Sequence, residues 1–149
     1  MCVLLNRYGK FKHKQTGFTF YVYNTHLDHK SEDAREKGLE LIAGLVEEAG
    51  SYPVFITGDF NMHIDDERFK PITDQTDKYA ESFSKFGIEG NTYHGFGSET
   101  SGRAIDFIFY TIDDFDLLET KVVDDMYLDR YYLSDHYPIY SKFKIIGKE

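Results

Sequence analysis

The chain has 149 residues with 17 Lys and Arg against 26 Asp and Glu, which gives a net charge of −9 and fits one domain. A chain of this length buries a core without disulfides, and its single cysteine excludes both an intrachain disulfide and a zinc site built from several cysteines. The acidic balance argues against a broad basic face for duplex nucleic acid, but it allows phosphate chemistry at a bound divalent cation.

The first half of the chain predicts a hairpin, a helix and a buried strand. Val3 to Phe11 and Phe18 to Thr25 are the two hairpin strands, because apolar and polar side chains alternate along the second of them. Ser31 is the predicted N-cap of an amphipathic helix, which ends at Gly50. Val54 to Thr57 follows as a short apolar run typical of a buried strand.

The second half predicts two short helices and three strands around polar loops. A loop from Gly58 to Asp66 precedes helices near Glu67–Ile72 and Asp77–Phe86. The predicted strands are Ala104–Thr111, Leu117–Val123 and Tyr137–Ile146. Since strands alternate with helices early and dominate late, the fold class is α/β or α+β with a mixed sheet, and residues 1–149 are expected to form a single domain.

Neither a membrane span nor a leader is expected in this chain. No run of 18 apolar residues is present, and the apolar run that follows Met1 is too short for a secretory signal. The compartment therefore stays open.

Two polar clusters follow the early strands. Asp59 could orient or deprotonate a water and Asn61 could donate its amide to a phosphate oxygen, although Asp and Asn are also ordinary turn formers. His26 ends the second hairpin strand and could act as a general acid. A zinc site at His26, Asp28 and His29 is the less favoured alternative, because no further ligand is evident.

Two more polar clusters lie near the last strands. Asp106 stands inside an apolar strand, where a charge is costly unless it is paired. It either pairs with Arg103 or a backbone donor, or it orients an imidazole. Asp135 and His136 precede the final strand, and they either serve a common site from a turn or form an ordinary polar turn.

The order of these clusters resembles the endonuclease/exonuclease/phosphatase superfamily, which includes pancreatic-type deoxyribonucleases and inositol-polyphosphate phosphatases. The motifs that carry the resemblance are Asn24-Thr25-His26-Leu27, Gly58-Asp59-Phe60-Asn61, Ile105-Asp106-Phe107-Ile108 and Ser134-Asp135-His136-Tyr137-Pro138. The resemblance covers nearly the whole chain but only about the second half of the family's domain. It implies part of a four-layer, deoxyribonuclease-like sandwich, with two mixed sheets inside and helices outside.

The resemblance also implies a reaction, the Mg²⁺-dependent hydrolysis of a phosphodiester or phosphomonoester by an activated water. By similarity, Asp59 positions or deprotonates the water and Asn61 orients the phosphate. His136 contacts the phosphate and Asp106 fixes its tautomer, while His26 assists the leaving group. The expected partner is therefore a phosphate-ester substrate, smaller than long duplex DNA.

The metal site is expected to be incomplete, because the family's first half supplies a glutamate ligand that has no counterpart here. Asp135 is the expected ligand for Mg²⁺ or Mn²⁺, which we expect to bind weakly, and activity of this chain alone is expected to be low or absent. The alternative is a non-catalytic remnant that binds phosphate ligands or a protein partner. Half of a sandwich leaves aromatic strands uncovered, so a homodimer or the missing half is expected.

Overall fold

Seven strands and three α-helices make up the computed structural model, which describes residues 5–99, 101–124 and 132–146. The strands are β1 (Leu5–Lys12), β2 (Thr19–His26), β3 (Val54–Asp59), β4 (Tyr79–Glu81), β5 (Asp106–Thr111), β6 (Phe115–Val122) and β7 (Ile139–Ile145). The helices are α1 (Glu32–Glu48), α2 (Lys70–Thr73) and α3 (Ser82–Phe86). None of the described helices has the length and apolar character needed to cross a bilayer.

The predicted hairpin and first helix are confirmed, and each has a local cause. β1 and β2 pair antiparallel with Leu5 opposite His26, while the predicted start of β1 at Val3 lies outside the described residues. The Ser31 side chain accepts a hydrogen bond from the Ala34 N–H and so caps the first turn of α1. Beyond the helix, Gly50 takes the left-handed conformation with φ of 64°.

The main sheet is mixed, as predicted, with the strand order β1-β2-β3-β5-β4. β2 and β3 run parallel and α1 connects them, whereas β5 runs antiparallel between β3 and β4. The last two strands, β6 and β7, form a separate antiparallel sheet with an irregular register between Leu117 and Glu119. The parallel pair is important for the site because it brings the carboxyl ends of β2 and β3 to one edge.

The main sheet packs on both faces, which gives three layers. On one face, α1 buries Leu39, Ile42 and Val46 in a core with Val54 and Ile56 of β3. The apolar stripe of α1 therefore lies against the centre of the sheet.

The other face is partly covered by the β6–β7 sheet through aromatic side chains. The ring centroids of Phe55 and Phe115 lie 4.3 Å apart, and those of Tyr110 and Phe143 lie 4.9 Å apart. A mixed sheet with a helix outside and a second sheet across it is part of the sandwich that the resemblance implies, although the second sheet has two antiparallel strands among the described residues.

One predicted helix is much shorter in the structure, because its first half is a strand. The pattern predicts a helix over Asp77–Phe86, but Tyr79–Glu81 is β4 and the helix is only α3. Tyr79 pairs with Thr111 and Glu81 with Phe109, so the segment adds to the distant strand β5 and becomes the edge of the sheet. The Glu81 carboxylate then accepts hydrogen bonds from the first N–H groups of α3 and ends the strand with a helix cap.

Other boundaries shift by a few residues. The loop predicted from Gly58 begins later, because β3 continues through Asp59. The helix predicted at Glu67–Ile72 is a 3₁₀ turn, Glu67–Phe69, followed by α2. The remaining predicted strands are found as β5, β6 and β7 with altered ends.

Candidate active site

Three chemistry-bearing side chains form one row across three neighbouring strands. His26 of β2 lies opposite Asp59 of β3, and Asp59 lies opposite Asp106 of β5. Alternation along each strand places all three on the face that carries the β6–β7 sheet, since Ile56 and Phe107 belong to the core on the helical face. His26 Nε2 is 3.2 Å from Asp59 Oδ2, so the row is in contact.

His136 completes the group from the segment before β7. Its Nδ1 lies 2.8 Å from Asp106 Oδ2, and its Nε2 lies 3.7 Å from Asp59 Oδ2. Arg103 pairs with Asp65 instead of Asp106, so the partner of the partly buried Asp106 carboxylate is the imidazole. An Nδ1–H donated to Asp106 leaves Nε2 on the side of Asp59 and of any bound substrate.

The turn after β3 holds the Asp59 carboxylate in place. The Asn61 backbone N–H donates to Asp59 Oδ1 at 2.8 Å, and the Asn61 amide donates to Asp59 Oδ2 and to the Leu27 carbonyl. Asn61 has φ of 51°, a left-handed conformation that Asn adopts more readily than most residues. Asn61 therefore ties the turn to the end of β2.

Burial and charge shift the pKa values of two members of the group. Burial raises the pKa of Asp59, and Asp106 adds to this, although the Asn61 N–H and the two histidines oppose it. Burial alone would lower the pKa of His136, but the hydrogen bond and charge of Asp106 outweigh it and the net direction is upward. The site thus favours a more basic carboxylate next to a more readily protonated imidazole.

Ligand atoms of Asp59, Asp106 and His136 all lie within 4.8 Å of one another, so these residues are a candidate cation site among the described residues. Two carboxylates make an oxygen-rich donor set, which suits Mg²⁺ or Mn²⁺ better than zinc. The family's implied cation fits this chemistry, because a divalent charge would offset the repulsion between the two carboxylates.

Asp135 does not belong to this group, although it was the expected metal ligand. Its backbone carbonyl accepts hydrogen bonds from the N–H groups of His94 and Gly95, and Ser134 Oγ lies 3.4 Å from its carboxylate. Its role as a ligand stays a prediction. The zinc alternative gains no support, since Asp28 accepts from the Lys30 and Ser31 N–H groups and the candidate cation group excludes it.

Sequence reasoning assigned no role to residues 92–96, the segment that holds His136 in place. Tyr93 forms an isolated antiparallel bridge with His136, and the two rings meet edge to face at 5.1 Å. The preceding Thr92 is fully buried. The local sequence does not indicate that Thr92 is buried, and only the fold shows what its hydroxyl contacts.

Comparisons with known proteins bear on the family and the fold of this chain. The sequence profile of a family described as the Endonuclease/Exonuclease/phosphatase family matches residues 5–136. No curated protein sequence matches the chain.

Solved structures match over almost the whole chain. A mannosyl-6-phosphatase from Bacteroides thetaiotaomicron is 26% identical with a TM-score of 0.81, over 95% of this chain and 57% of its own. A protein of the same family from Bacteroides vulgatus is 29% identical with a TM-score of 0.84, over 97% of this chain and 56% of its own. The human Nocturnin catalytic domain, 17% identical with a TM-score of 0.72, covers 95% of this chain and 53% of its own and shares the fold. The chain therefore spans little more than half the length of these proteins.

Proposed function

The chain belongs to the endonuclease/exonuclease/phosphatase family, and we propose that it carries the catalytic residues of a phosphoric ester hydrolase that uses a divalent cation. The observation that carries the proposal is the contact group of Asp59, Asp106 and His136, in which His136 Nδ1 is 2.8 Å from Asp106 Oδ2. A carboxylate, an imidazole and a carboxylate that orients the imidazole are the parts that water attack on a phosphoester requires.

Asp59 is the proposed acceptor of the proton from the attacking water. Its raised pKa makes the carboxylate a stronger base than an exposed Asp, and its oxygens are fixed by Asn61. The water oxygen forms a bond to phosphorus while the bond from phosphorus to the leaving oxygen breaks. The proton from water passes to Asp59, so the charge on the attacking oxygen does not build up.

His136 is the proposed phosphate contact. Its raised pKa favours the imidazolium, whose Nε2–H can donate to a non-bridging phosphate oxygen while Nδ1–H donates to Asp106. His26 lies on the other side of Asp59 with 63% of its side chain exposed, which leaves it free to reach a leaving oxygen. These roles match those that the motifs imply.

The hydrogen bonds of Asn61 support a role different from the phosphate orientation that the motif implies. Both hydrogens of its amide are used inside the protein, on the Leu27 carbonyl and on Asp59. We propose that Asn61 acts mainly by holding Asp59, and that phosphate orientation by its amide requires the bond to Leu27 to open.

The carboxylates of Asp59 and Asp106 would hold the cation, with Asp135 as the further ligand that the motifs imply, while the protonated His136 contacts the phosphate. When bound, Mg²⁺ or Mn²⁺ supplies charge stabilisation for the phosphate oxygens. We expect weak binding because Asp106 already shares an oxygen with His136.

The whole protein's substrate is a separate proposal. The net charge of −9 favours a small phosphoester over a long polyanion. Similarity to a mannosyl-6-phosphatase at 26% identity supports a sugar phosphomonoester as the first substrate class to assay. Because the chain spans 57% of that protein, full activity is proposed to require the missing half or a second copy of the chain.

The test is turnover of mannose 6-phosphate and of a chromogenic phosphodiester with Mg²⁺ or Mn²⁺. We expect slow hydrolysis that His136→Ala lowers by about 10²-fold or more. His63→Ala is the matched control, since His63 is exposed and contacts the Ala104 carbonyl outside the cation group. The alternative, a non-catalytic remnant, predicts no turnover under any condition but retained binding of inorganic phosphate, measured by calorimetry.

A further inference from the structure

Thr92 lies between the two segments that carry Asp106 and His136, and it is completely buried. Its hydroxyl oxygen accepts the N–H of Ile105 at 3.0 Å and that of Asp106 at 3.2 Å. Its carbonyl accepts the N–H of Tyr137 at 2.8 Å. One residue therefore binds the backbone at Asp106 through its side chain and the backbone next to His136 through its main chain.

The neighbours of Thr92 strengthen the second attachment. Tyr93 bridges His136 and lies against its ring, while the N–H groups of His94 and Gly95 both donate to the Asp135 carbonyl. In the described chain, the other backbone and Ser134 bonds near His136 are short-range contacts of Ser134 and one bond from the Val123 N–H to the Pro138 carbonyl. The position of the imidazole thus depends on the segment that begins at Thr92.

The two sets of bonds made by Thr92 hold the backbone on each side of the hydrogen bond between Asp106 and His136. Asp106 is the first residue of β5 and pairs with Asp59 at the end of β3. The N–H groups of Ile105 and Asp106 therefore lie where the pairing of the two strands ends. Without the Thr92 oxygen, these partly buried N–H groups would lose their acceptor, and the start of β5 would have to shift to find one. Such a shift would change the distance between Asp106 Oδ2 and His136 Nδ1.

We propose that Thr92 is a positioning residue for phosphoester hydrolysis, which sets the geometry of the Asp106–His136 pair by binding the backbone on both sides of it. The proposal rests on the proposed function of the same site. Thr92 does not touch the substrate, and its effect passes through the tautomer and orientation of His136. A displacement of about 1 Å in such a group costs about 10²-fold in rate.

The experiment compares Thr92→Val, which removes the hydroxyl at constant shape, with Thr92→Ser, which keeps it. Two-bond ¹H–¹⁵N spectra of the histidine rings, recorded without added metal at a pH where His136 is neutral, report which nitrogen carries the proton. We expect Nδ1–H in the wild type and in Thr92→Ser, and a mixture of tautomers in Thr92→Val. In turnover assays, we expect kcat to fall by about 10²-fold in Thr92→Val with little change in KM.

Thr111→Val is the matched control. Thr111 is also buried on β5 and its hydroxyl accepts a backbone N–H, that of Val54, but at the far end of the strand. We expect it to lose stability without a change in the His136 tautomer. If Thr92→Val does not fold, Thr92→Ala, which leaves space for a water, replaces it.

Two results would overturn the proposal: an unchanged His136 tautomer in the folded variants that lack the hydroxyl, or equal effects of Thr92→Ser and Thr92→Val. The spectra do not depend on turnover. If the wild type hydrolyses nothing while the tautomer responds as expected, the proposed function is wrong and the positioning role of Thr92 stands.

Discussion

The pair of Asp106 and His136 determines how the site responds to pH. Asp106 raises the pKa of His136 through a 2.8 Å hydrogen bond and its charge, against the effect of burial. Asp106→Asn removes this charge, so we expect the pKa of His136 to fall below its wild-type value. An NMR titration of His136 without added metal measures it, with Asp65→Asn as a control, because Asp65 is an exposed carboxylate bound to Arg103. An unchanged pKa in Asp106→Asn would show that the hydrogen bond is absent in solution.

The same pair gives the sign of a stability change. Because the folded-state pKa of His136 is above its unfolded value of about 6.5, protonation stabilises the fold fully below that value. This stabilisation is lost as the pH rises through the folded pKa. The Asp106→Asn variant should therefore show a smaller difference in unfolding free energy between mildly acidic and mildly alkaline pH than the wild type.

Single residues of the site were predictable from sequence, and their contacts were not. Asp59, Asp106 and His136 were candidates because they stand in polar clusters whose order resembles the family's motifs, and Asp106 also because a charge inside an apolar strand is costly. Which of them meet depends on the strand register, and His26, Asp59 and Asp106 are far apart in the chain. The contact between Asp106 and His136 therefore required the fold.

At the scale of elements, the close approach of β2 and β3 depends on one glycine. Gly58 has φ of 137°, and a Cβ built there would lie 1.9 Å from the Thr25 carbonyl oxygen. We expect Gly58→Ala to destabilise the protein by about 3 kcal/mol and to move Asp59 away from His26, since a backbone oxygen cannot yield like a flexible side chain. Denaturant unfolding measures the loss of stability.

Gly44 supplies the control for that substitution. It lies on α1, and a Cβ added there meets nothing within 4 Å. Gly44→Ala should raise the unfolding free energy by about 0.5–1 kcal/mol, because alanine favours a helix over glycine. Equal effects of the two substitutions would contradict the close approach at Gly58.

The elements also show where local pattern fails. The helix α1 was predicted with its cap because its signals, Ser31 and the apolar stripe, lie within a few residues of each other. β4 was not predicted, because Tyr79–Glu81 becomes a strand only by pairing with β5, about 30 residues further along the chain. A short stretch of sequence does not show which distant strand a segment will pair with. The role of Thr92 could not be predicted for the same reason, because its partners Ile105, Asp106 and Tyr137 are distant in the sequence.

At the scale of the whole molecule, the β6–β7 sheet covers only part of the main sheet's second face. It packs on Phe55 and Tyr110, but in the described part of the chain Val22 and Ile108 on the same face belong to neither core. The chain spans only 57% and 56% of the length of two of its structural relatives. Val22 and Ile108 are half-buried and form a partly covered strip next to the row of His26, Asp59 and Asp106.

We expect the chain alone to self-associate through this strip, because apolar side chains in the middle of a sheet face gain by excluding water. Light scattering over a range of concentrations should show a dimer or larger species. The double variant Val22→Thr and Ile108→Thr should shift the population towards monomer. Leu41→Thr, on the solvent side of α1 where the side chain is 52% exposed, should not. A wild-type monomer at every concentration, with a cooperative thermal transition, would show that half of the sandwich is stable without a cover.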